Sequence, residues 1–299
     1  MAVETLTGIG SAVAGAAERL GPSVVGLGRG RGSGVVIVQD HVLTLAPMVS
    51  RGQPTVVFSD GRRETAEIAG VDRELGIAVL TVSTADATPI ARRDDELPGL
   101  GSPVIALADP GGRGLRATAG WTTSAARTAR GPRGRRLESA IEHTAPLPRG
   151  SAGGPLVDLS DRLVGVNALR TGEGLVLAVG ATAEFWERVE AAMRGEVRER
   201  PRLGVAVMPP RAARRMRRAV GLDERGGVLV SEVEPDSPAD AAGLRRGDLI
   251  VAIDEQGVDG LDALYERLGE AAPGQAITIG YVRGVEDASA EVTLKGRSS

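Results

Sequence analysis

A mainly β fold followed by a smaller α/β module is predicted by three observations. From Ser23 to about Val179 the chain is a series of short β-branched runs broken by Gly, Pro and Asp, and many short strands with frequent turns make a barrel or a sandwich. Beyond Pro201 strands alternate with helical segments over about 100 residues, the size of one compact module. The whole chain has 299 residues, too many for one small core.

The elements follow in order. Leu6 to Ala17 is apolar, but Glu4 precedes it and no Lys or Arg forms a positive leader, so it reads poorly as a signal peptide. It is too short and too rich in Gly and Ala to span a bilayer, and a helix within residues 1–22, lying on the first domain, is expected. That domain, residues 23–193, has strands at Val24–Leu27, Val35–Val38, Val56–Phe58, Ile77–Leu80 and Val104–Leu107. Asp60-Gly61 reads as a hairpin turn between Val56–Phe58 and Thr65–Ile68, because Gly tolerates the positive φ of a tight turn, and a second hairpin is expected at Ser160-Asp161. Thr182 caps a helix that places Phe185, Val189 and Met193 on one face. The charged stretch Arg194–Pro201 is read as a linker. In residues 202–299 strands are expected at Leu203–Met208, Val228–Val233, Leu249–Ile253, Ala276–Val282 and Ala290–Leu294, and helices at Arg211–Val220, Pro238–Ala242 and Leu261–Leu268.

Composition narrows the function. Apolar residues make up 42% but aromatics only 2%, so cores must be built from Val, Leu, Ile and Ala, and platforms for stacking nucleic acid bases are scarce. With 36 basic against 39 acidic side chains the net charge is −3, which gives no global attraction for a polyanion. No nucleic acid partner and no integral membrane segment are expected. Without cysteine there are no disulfides or thiolate metal sites, and no metal or cofactor is expected.

Taken together, Gly32-Ser33-Gly34, Asp72 followed by Ile77-Ala78-Val79-Leu80, Val104 to Pro110, Thr118-Ala119-Gly120 and Gly150-Ser151-Ala152-Gly153-Gly154-Pro155-Leu156 resemble the HtrA/Deg serine proteases. Downstream, Arg202-Leu203-Gly204-Val205, Gly227 to Val230, Val233 to Ala239 and Ala242 to Ile250 are similar to their PDZ domain. The resemblance implies a trypsin-like double antiparallel β-barrel joined to a PDZ domain. Serine proteolysis needs a hydroxyl, an imidazole to take its proton, a carboxylate to orient the imidazole, and backbone N–H groups for the oxyanion. By alignment with the family these side chains belong at positions that here hold Ala152, Pro47 and Gly76, none of which carries a nucleophile, a base or an acid. The expectation is therefore that the chain is no enzyme but a pseudoprotease, with Gly150 and Ser151 as remnants of the oxyanion loop. Two alternatives stay open: an endopeptidase using Ser151 with His143, and a holdase that binds unfolded chains along the barrel cleft. His41 lies on the strand before the position of Pro47 and is no obvious substitute base. In the bland reading Ser151 is a surface serine and His143 partly buried.

The same resemblance implies a partner. PDZ domains add an extended C-terminal peptide to a sheet edge and hold its carboxylate with backbone N–H groups. Arg202, Leu203, Gly204 and Val205 would form the carboxylate loop, the strand through Val207 would pair with the peptide, and the helix bearing Leu261, Leu264 and Leu268 would form the opposite wall. Leu264 and Leu268, with Leu203 and Val205, are expected to line a pocket for an apolar terminal residue, while Arg202 either reinforces carboxylate binding or is solvated. Two arginine clusters remain. Arg127, Arg130, Arg133, Arg135 and Arg136 are placed in a loop, and Arg211, Arg214, Arg215, Arg217 and Arg218 on a helix. Both are read as solvated faces, with docking of an acidic protein or anionic lipid as the competing reading. Residues 1–22 lack the aromatics of the family's trimer contacts, so the oligomeric state stays open. In the absence of an export signal a cytoplasmic location is expected, although the family works mostly outside the cytoplasm.

Overall fold

A computed structural model describes all residues except 1, 29–31, 51, 94–95, 131–135, 172–173, 197–200, 220, 224 and 297–299, with the side chains of 2–6 and 126–138 also left aside. The chain divides into two compact units, Met1–Val197 and Arg198–Ser299.

The first unit opens with helix α1 (Ala2–Leu20). Its first sheet is built from β1 (Val24–Leu27), β2 (Gly32–Val38), β3 (His41–Leu45), β4 (Thr55–Val57), β5 (Arg63–Thr65), β6 (Glu67–Asp72) and β7 (Ile77–Thr81) in the order β5-β4-β1-β2-β3-β7-β6. The second contains β8 (Ala91–Arg92), β9 (Pro103–Ala108), β10 (Arg116–Arg130), β11 (Arg136–His143), β12 (Pro155–Val157), β13 (Arg162–Arg170) and β14 (Val176–Gly180). Its order runs β12-β9-β10-β11-β14-β13-β8, and an additional β12–β13 pairing closes the ring. The β-branched runs form the cores: Val24, Val35, Ile77, Val79 and Ile105 are buried in one cluster, and Val25, Val36, Val56 and Leu80 in another. These side chains fit a pleated, half-buried surface, so burial and local preference agree.

The first hairpin turns at Asp60-Gly61 as expected, but its return strand is Arg63–Thr65 and not Thr65–Ile68, because Thr55 pairs with Thr65 and Val57 with Arg63. Ser160-Asp161 also turns a hairpin, with Asp158 Oδ1 accepting from the N–H of Ser160 at 2.9 Å and of Arg162 at 3.0 Å. Arg127 and Arg130 were expected in a loop; they lie on β10, where Arg127 pairs with Ala140 and Arg130 with Arg136, while Arg133 and Arg135 lie outside the described residues.

Thr182 caps helix α2 (Ala183–Met193) by accepting from the Phe185 N–H at 3.2 Å. The helix buries Phe185, Trp186 and Val189. Phe185 and Trp186 meet edge to face at 5.3 Å, and the Arg92 guanidinium lies 4.1 Å over the Trp186 ring. Arg188 clamps the helix to the turn before β7: its Nε donates to Asp72 Oδ2 at 2.7 Å, and one terminal nitrogen donates to Asp72 Oδ1 and to Glu74 Oε2, each at 2.8 Å.

The second unit contains β15 (Pro201–Arg202), β16 (Val205–Met208), α3 (Pro210–Ala219), β17 (Val228–Val233), α4 (Pro238–Ala241), β18 (Leu249–Ile253), β19 (Gln256–Gly257), α5 (Leu261–Glu270), β20 (Ala276–Arg283), β21 (Glu286–Thr293) and β22 (Lys295–Gly296). Its main sheet runs β16-β17-β18-β20-β21, so β16 is an edge strand. Alternation along the strands sends Val228, Val230 and Ile250 to one face, packed with Leu264 of α5. Leu229, Leu249 and Val282 go to the other, packed with Ala213 of α3. Among the described residues no helix is long and apolar enough to cross a membrane.

Candidate functional site: a glycine loop in the barrel unit and a glycine turn in the second unit

The three positions singled out by resemblance are brought together. Pro47 lies in a single 3₁₀ turn, Ala46–Met48, directly after β3. The Ala46 N–H donates to the Gly76 carbonyl at 2.8 Å, which sets the second position beside the first. A Cβ on Gly32 would lie 2.5 Å from Met48 Sδ and 2.7 Å from the Ala152 carbonyl oxygen, which sets the third beside the same turn.

The Gly150–Pro155 loop is held mainly by backbone. Ser33 N–H donates to the Ala152 carbonyl at 2.8 Å, Gly153 N–H to Asn167 O at 2.7 Å, and Gly154 N–H to Ser151 O at 3.1 Å. Gly153 has φ +92°, and a Cβ there would meet Ser33 O at 2.1 Å, so no other residue fits without moving backbone. Among the described residues the N–H groups of Gly150 and Ala152 donate to no protein acceptor, and backbone donors left open in a tight turn are an anion-holding arrangement.

Behind the loop sits a polar pair that the sequence did not reveal. His143 is fully buried, and its Nε2 lies 3.0 Å from Asn167 Oδ1. Asn167 Nδ2 donates to both Gly154 O and Pro155 O, each at 3.0 Å, so Oδ1 is the acceptor and the neutral imidazole carries its proton on Nε2. Burial pushes the His143 pKa from 6.5 down to about 4, against the opposing effect of the hydrogen bond it donates to Asn167. The structure corrects the bland expectations for both residues: Ser151 is not on the surface, being 4% exposed, and His143 is wholly enclosed. Ser151 Oγ and His143 Nδ1 have no hydrogen-bond partner among the described residues. The ring of His41, by contrast, is only partly buried, with Nδ1 3.0 Å from Gln39 O.

In the second unit, Leu203-Gly204 forms a turn between β15 and β16. Gly204 has φ +82°, and a Cβ on it would come within 2.2 Å of Ser237 Cβ, so only glycine passes here. Glu234 N–H donates to Gly204 O and Ala239 N–H to Leu203 O, each at 2.9 Å, fixing the turn through its carbonyls. The N–H groups of Leu203 and Gly204 donate to no protein acceptor among the described residues. Of the residues expected to line a groove, Leu203 and Leu264 are buried in the core, whereas Val205, Val207, Leu261 and Leu268 are only partly covered. The expected pocket of Leu264 and Leu268 is thus half core. Arg202 is paired with Glu234, so it is not simply solvated.

Comparison with known proteins agrees with this geometry. Residues 32–166 match the trypsin-like peptidase domain family, and residues 201–294 match the PDZ domain family. The chain is 30% identical over 273 residues to a probable periplasmic serine endoprotease DegP-like of Halomonas elongata, covering 89% of this chain and 56% of that protein. It is 29% identical over 276 residues to the periplasmic pH-dependent serine endoprotease DegQ of Escherichia coli, covering 90% of this chain and 60% of that protein. The chain therefore spans a little over half the length of these relatives. Among solved structures, the HtrA-type protease AlgW with decapeptide superposes with a TM-score of 0.71 at 23% identity, covering 96% of this chain and 99% of that one. The same protease with tripeptide gives 0.65 at 26% identity, covering 96% and 98%. Two expectations are corrected by these names. The relatives are named serine endoproteases, which overturns the expectation, drawn from Ala152, Pro47 and Gly76, that the chain is no enzyme. They are also named periplasmic, which overturns the cytoplasmic expectation. The chain belongs to the HtrA/DegP-type proteins, a trypsin-like serine protease domain followed by a PDZ domain.

Proposed function

We propose that this chain captures extended peptides by their C-termini in the groove between β16 and α5. The observation that carries the reading is the pair of unengaged N–H groups on Leu203 and Gly204, held at a turn only glycine can make, beside the unpaired edge of β16. A terminal carboxylate accepts from such donors, and the peptide backbone continues the sheet as a new strand. The partly covered Val205, Val207, Leu261 and Leu268 then take the apolar side chains that point into the groove. Two of the similar HtrA-type structures are complexes with a decapeptide and with a tripeptide, which supports a peptide as the partner. Fluorescence anisotropy with a labelled peptide ending in apolar residues tests the reading. Amidation of the terminus is expected to weaken binding by about tenfold or more, since the buried donors then face a neutral group, and Gly204→Val is expected to abolish it. Equal binding of acid and amide overturns the reading. By the names of its relatives, the chain works outside the cytoplasm.

A second reading, peptide-bond hydrolysis, is favoured by the same names and by one observation on the loop. Ser151 places a buried, unpartnered hydroxyl next to the open N–H groups of Gly150 and Ala152. Attack requires a base within hydrogen-bond reach, so the loop must turn Ser151 toward one. Cleavage of unfolded casein that disappears in Ser151→Ala, together with fluorophosphonate labelling of Ser151, supports this reading; no cleavage and no labelling removes it.

A further inference from the structure

Helix α3 carries a one-sided concentration of charge that the peptide-capture reading leaves unused. Its sequence, Pro210-Arg211-Ala212-Ala213-Arg214-Arg215-Met216-Arg217-Arg218-Ala219, contains no acidic residue. Ala213 and Arg217 are buried; Arg217 is satisfied by donating its Nε to Asp223 O at 2.9 Å and a terminal nitrogen to Gly284 O at 3.2 Å. The other four arginines, Arg211, Arg214, Arg215 and Arg218, fall at i, i+3, i+4 and i+7, an arc of roughly 100° on the side away from the buried pair. All four are exposed, and Arg211, Arg214 and Arg215 have no ion pair among the described residues. Like charges three and four residues apart destabilise a helix, so in the free protein Arg211 repels Arg214 and Arg215, and a bound polyanion would relieve that repulsion. The chain as a whole has a net charge of −3, so this attraction is local to the helix.

The position of the helix selects the polyanion. Only Pro209 separates it from β16, the strand along which a captured peptide would lie. Its first residue abuts the start of α5, the other wall of the groove: a Cβ on Gly260, the residue that caps α5, would lie 3.8 Å from Pro210 Cγ. A peptide with its carboxylate at Leu203-Gly204, where β16 begins, must run antiparallel to β16, and its upstream part leaves the groove at the Met208 end. The four residues of β16 cover about 13 Å of extended chain. The peptide's residues from about the fifth position before its terminus onward therefore reach the first turn of α3.

Resting on the peptide-capture reading, we propose that α3 makes the groove selective for peptides that carry an acidic stretch upstream of an apolar C-terminus, with Arg211, Arg214 and Arg215 as the selecting residues. The test uses the full chain and two labelled peptides that share the same apolar terminal residues, one glutamate-rich upstream and one glutamine-rich. The acidic peptide is expected to bind about tenfold more tightly at low salt, with the gap closing as salt approaches the physiological range. A triple variant, Arg211→Gln with Arg214→Gln and Arg215→Gln, is expected to lose the gap while still binding the neutral peptide, which also reports that the unit is folded. Equal binding of the two peptides by the unmodified chain overturns the proposal, as does a gap that survives in the triple variant. Association with phosphatidylglycerol vesicles without discrimination between the peptides also overturns it in favour of a membrane surface. If neither peptide binds, the capture reading itself falls; if both bind equally, only the selectivity does.

Discussion

Gly153 and Gly204 do the same job in two unrelated folds, and the difference between their surroundings separates two kinds of site. Each takes a left-handed φ, and each would drive a Cβ into its neighbour, Ser33 O at 2.1 Å or Ser237 Cβ at 2.2 Å. The barrel loop is sewn in from behind: Asn167 holds it through its backbone and side chain, and the N–H groups of Gly153 and Gly154 are already used. The turn in the PDZ domain is fixed through its carbonyls instead, and its N–H groups stay open. Serine chemistry would ask specific side chains of the first loop, whereas the carboxylate capture proposed for the second asks only backbone. A site made of backbone is therefore legible from a single glycine, and a site made of side chains is not.

The comparison is broken most severely at Gly153. Gly153→Val forces a β-branched side chain into backbone and is expected to destabilise the barrel unit by more than about 4 kcal/mol, read by chemical denaturation. Peptide binding by the second unit should persist at denaturant concentrations that already unfold the variant's first unit. A smaller effect is expected of Asn167→Leu, which removes the side-chain donor to Gly154 O and Pro155 O and the acceptor of the His143 ring, while the residue 167 N–H still donates to Gly154 O; about 2 kcal/mol is expected from the lost buried hydrogen bonds. The two regions should also differ in their response to acid. His143 binds its proton more weakly in the folded state, about 4 against 6.5, so the unfolded chain takes up the extra proton between those values. Its contribution is intact above pH 6.5 and falls away as pH drops toward 4, by roughly 3 kcal/mol in all, on the barrel unit only. His143→Gln should flatten that slope, and a slope unchanged in the variant would assign it elsewhere. The mildest change is Ser237→Ala, which removes the α4 cap donated to by the Asp240 N–H at 3.2 Å; about 1 kcal/mol is expected, confined to the second unit.

The strands that sequence reading placed most accurately are the ones whose local preference and burial coincide. Val24–Leu27, Val228–Val233 and Leu249–Ile253 have the expected limits because β-branched side chains there are both strand-forming and enclosed. The strand β10 escaped notice because it is rich in Ala, Thr and Arg, and it is held by pairing to β9 and β11 on its two sides. In the candidate sites, the glycine turns were visible and the His143–Asn167 pair was not. Nothing in a local window says that a histidine will be enclosed with an asparagine from another strand, 24 positions away. Arg217 was hidden for the same reason: its helix reads as solvated all round until Asp223 and Gly284 supply carbonyls to a buried guanidinium. Names of relatives, rather than residues, corrected the expectations about enzymatic standing and compartment.

The scarcity of rings gives the molecule an unintended optical label. Both tryptophans, Trp121 and Trp186, belong to the barrel unit, and both tyrosines, Tyr265 and Tyr281, to the other. Trp186, sealed between Phe185 and Arg92, must shift its emission when those walls part, while tyrosine signals follow the second unit alone. Melting of the two halves can thus be followed separately in one cuvette, without a dye or an added reporter.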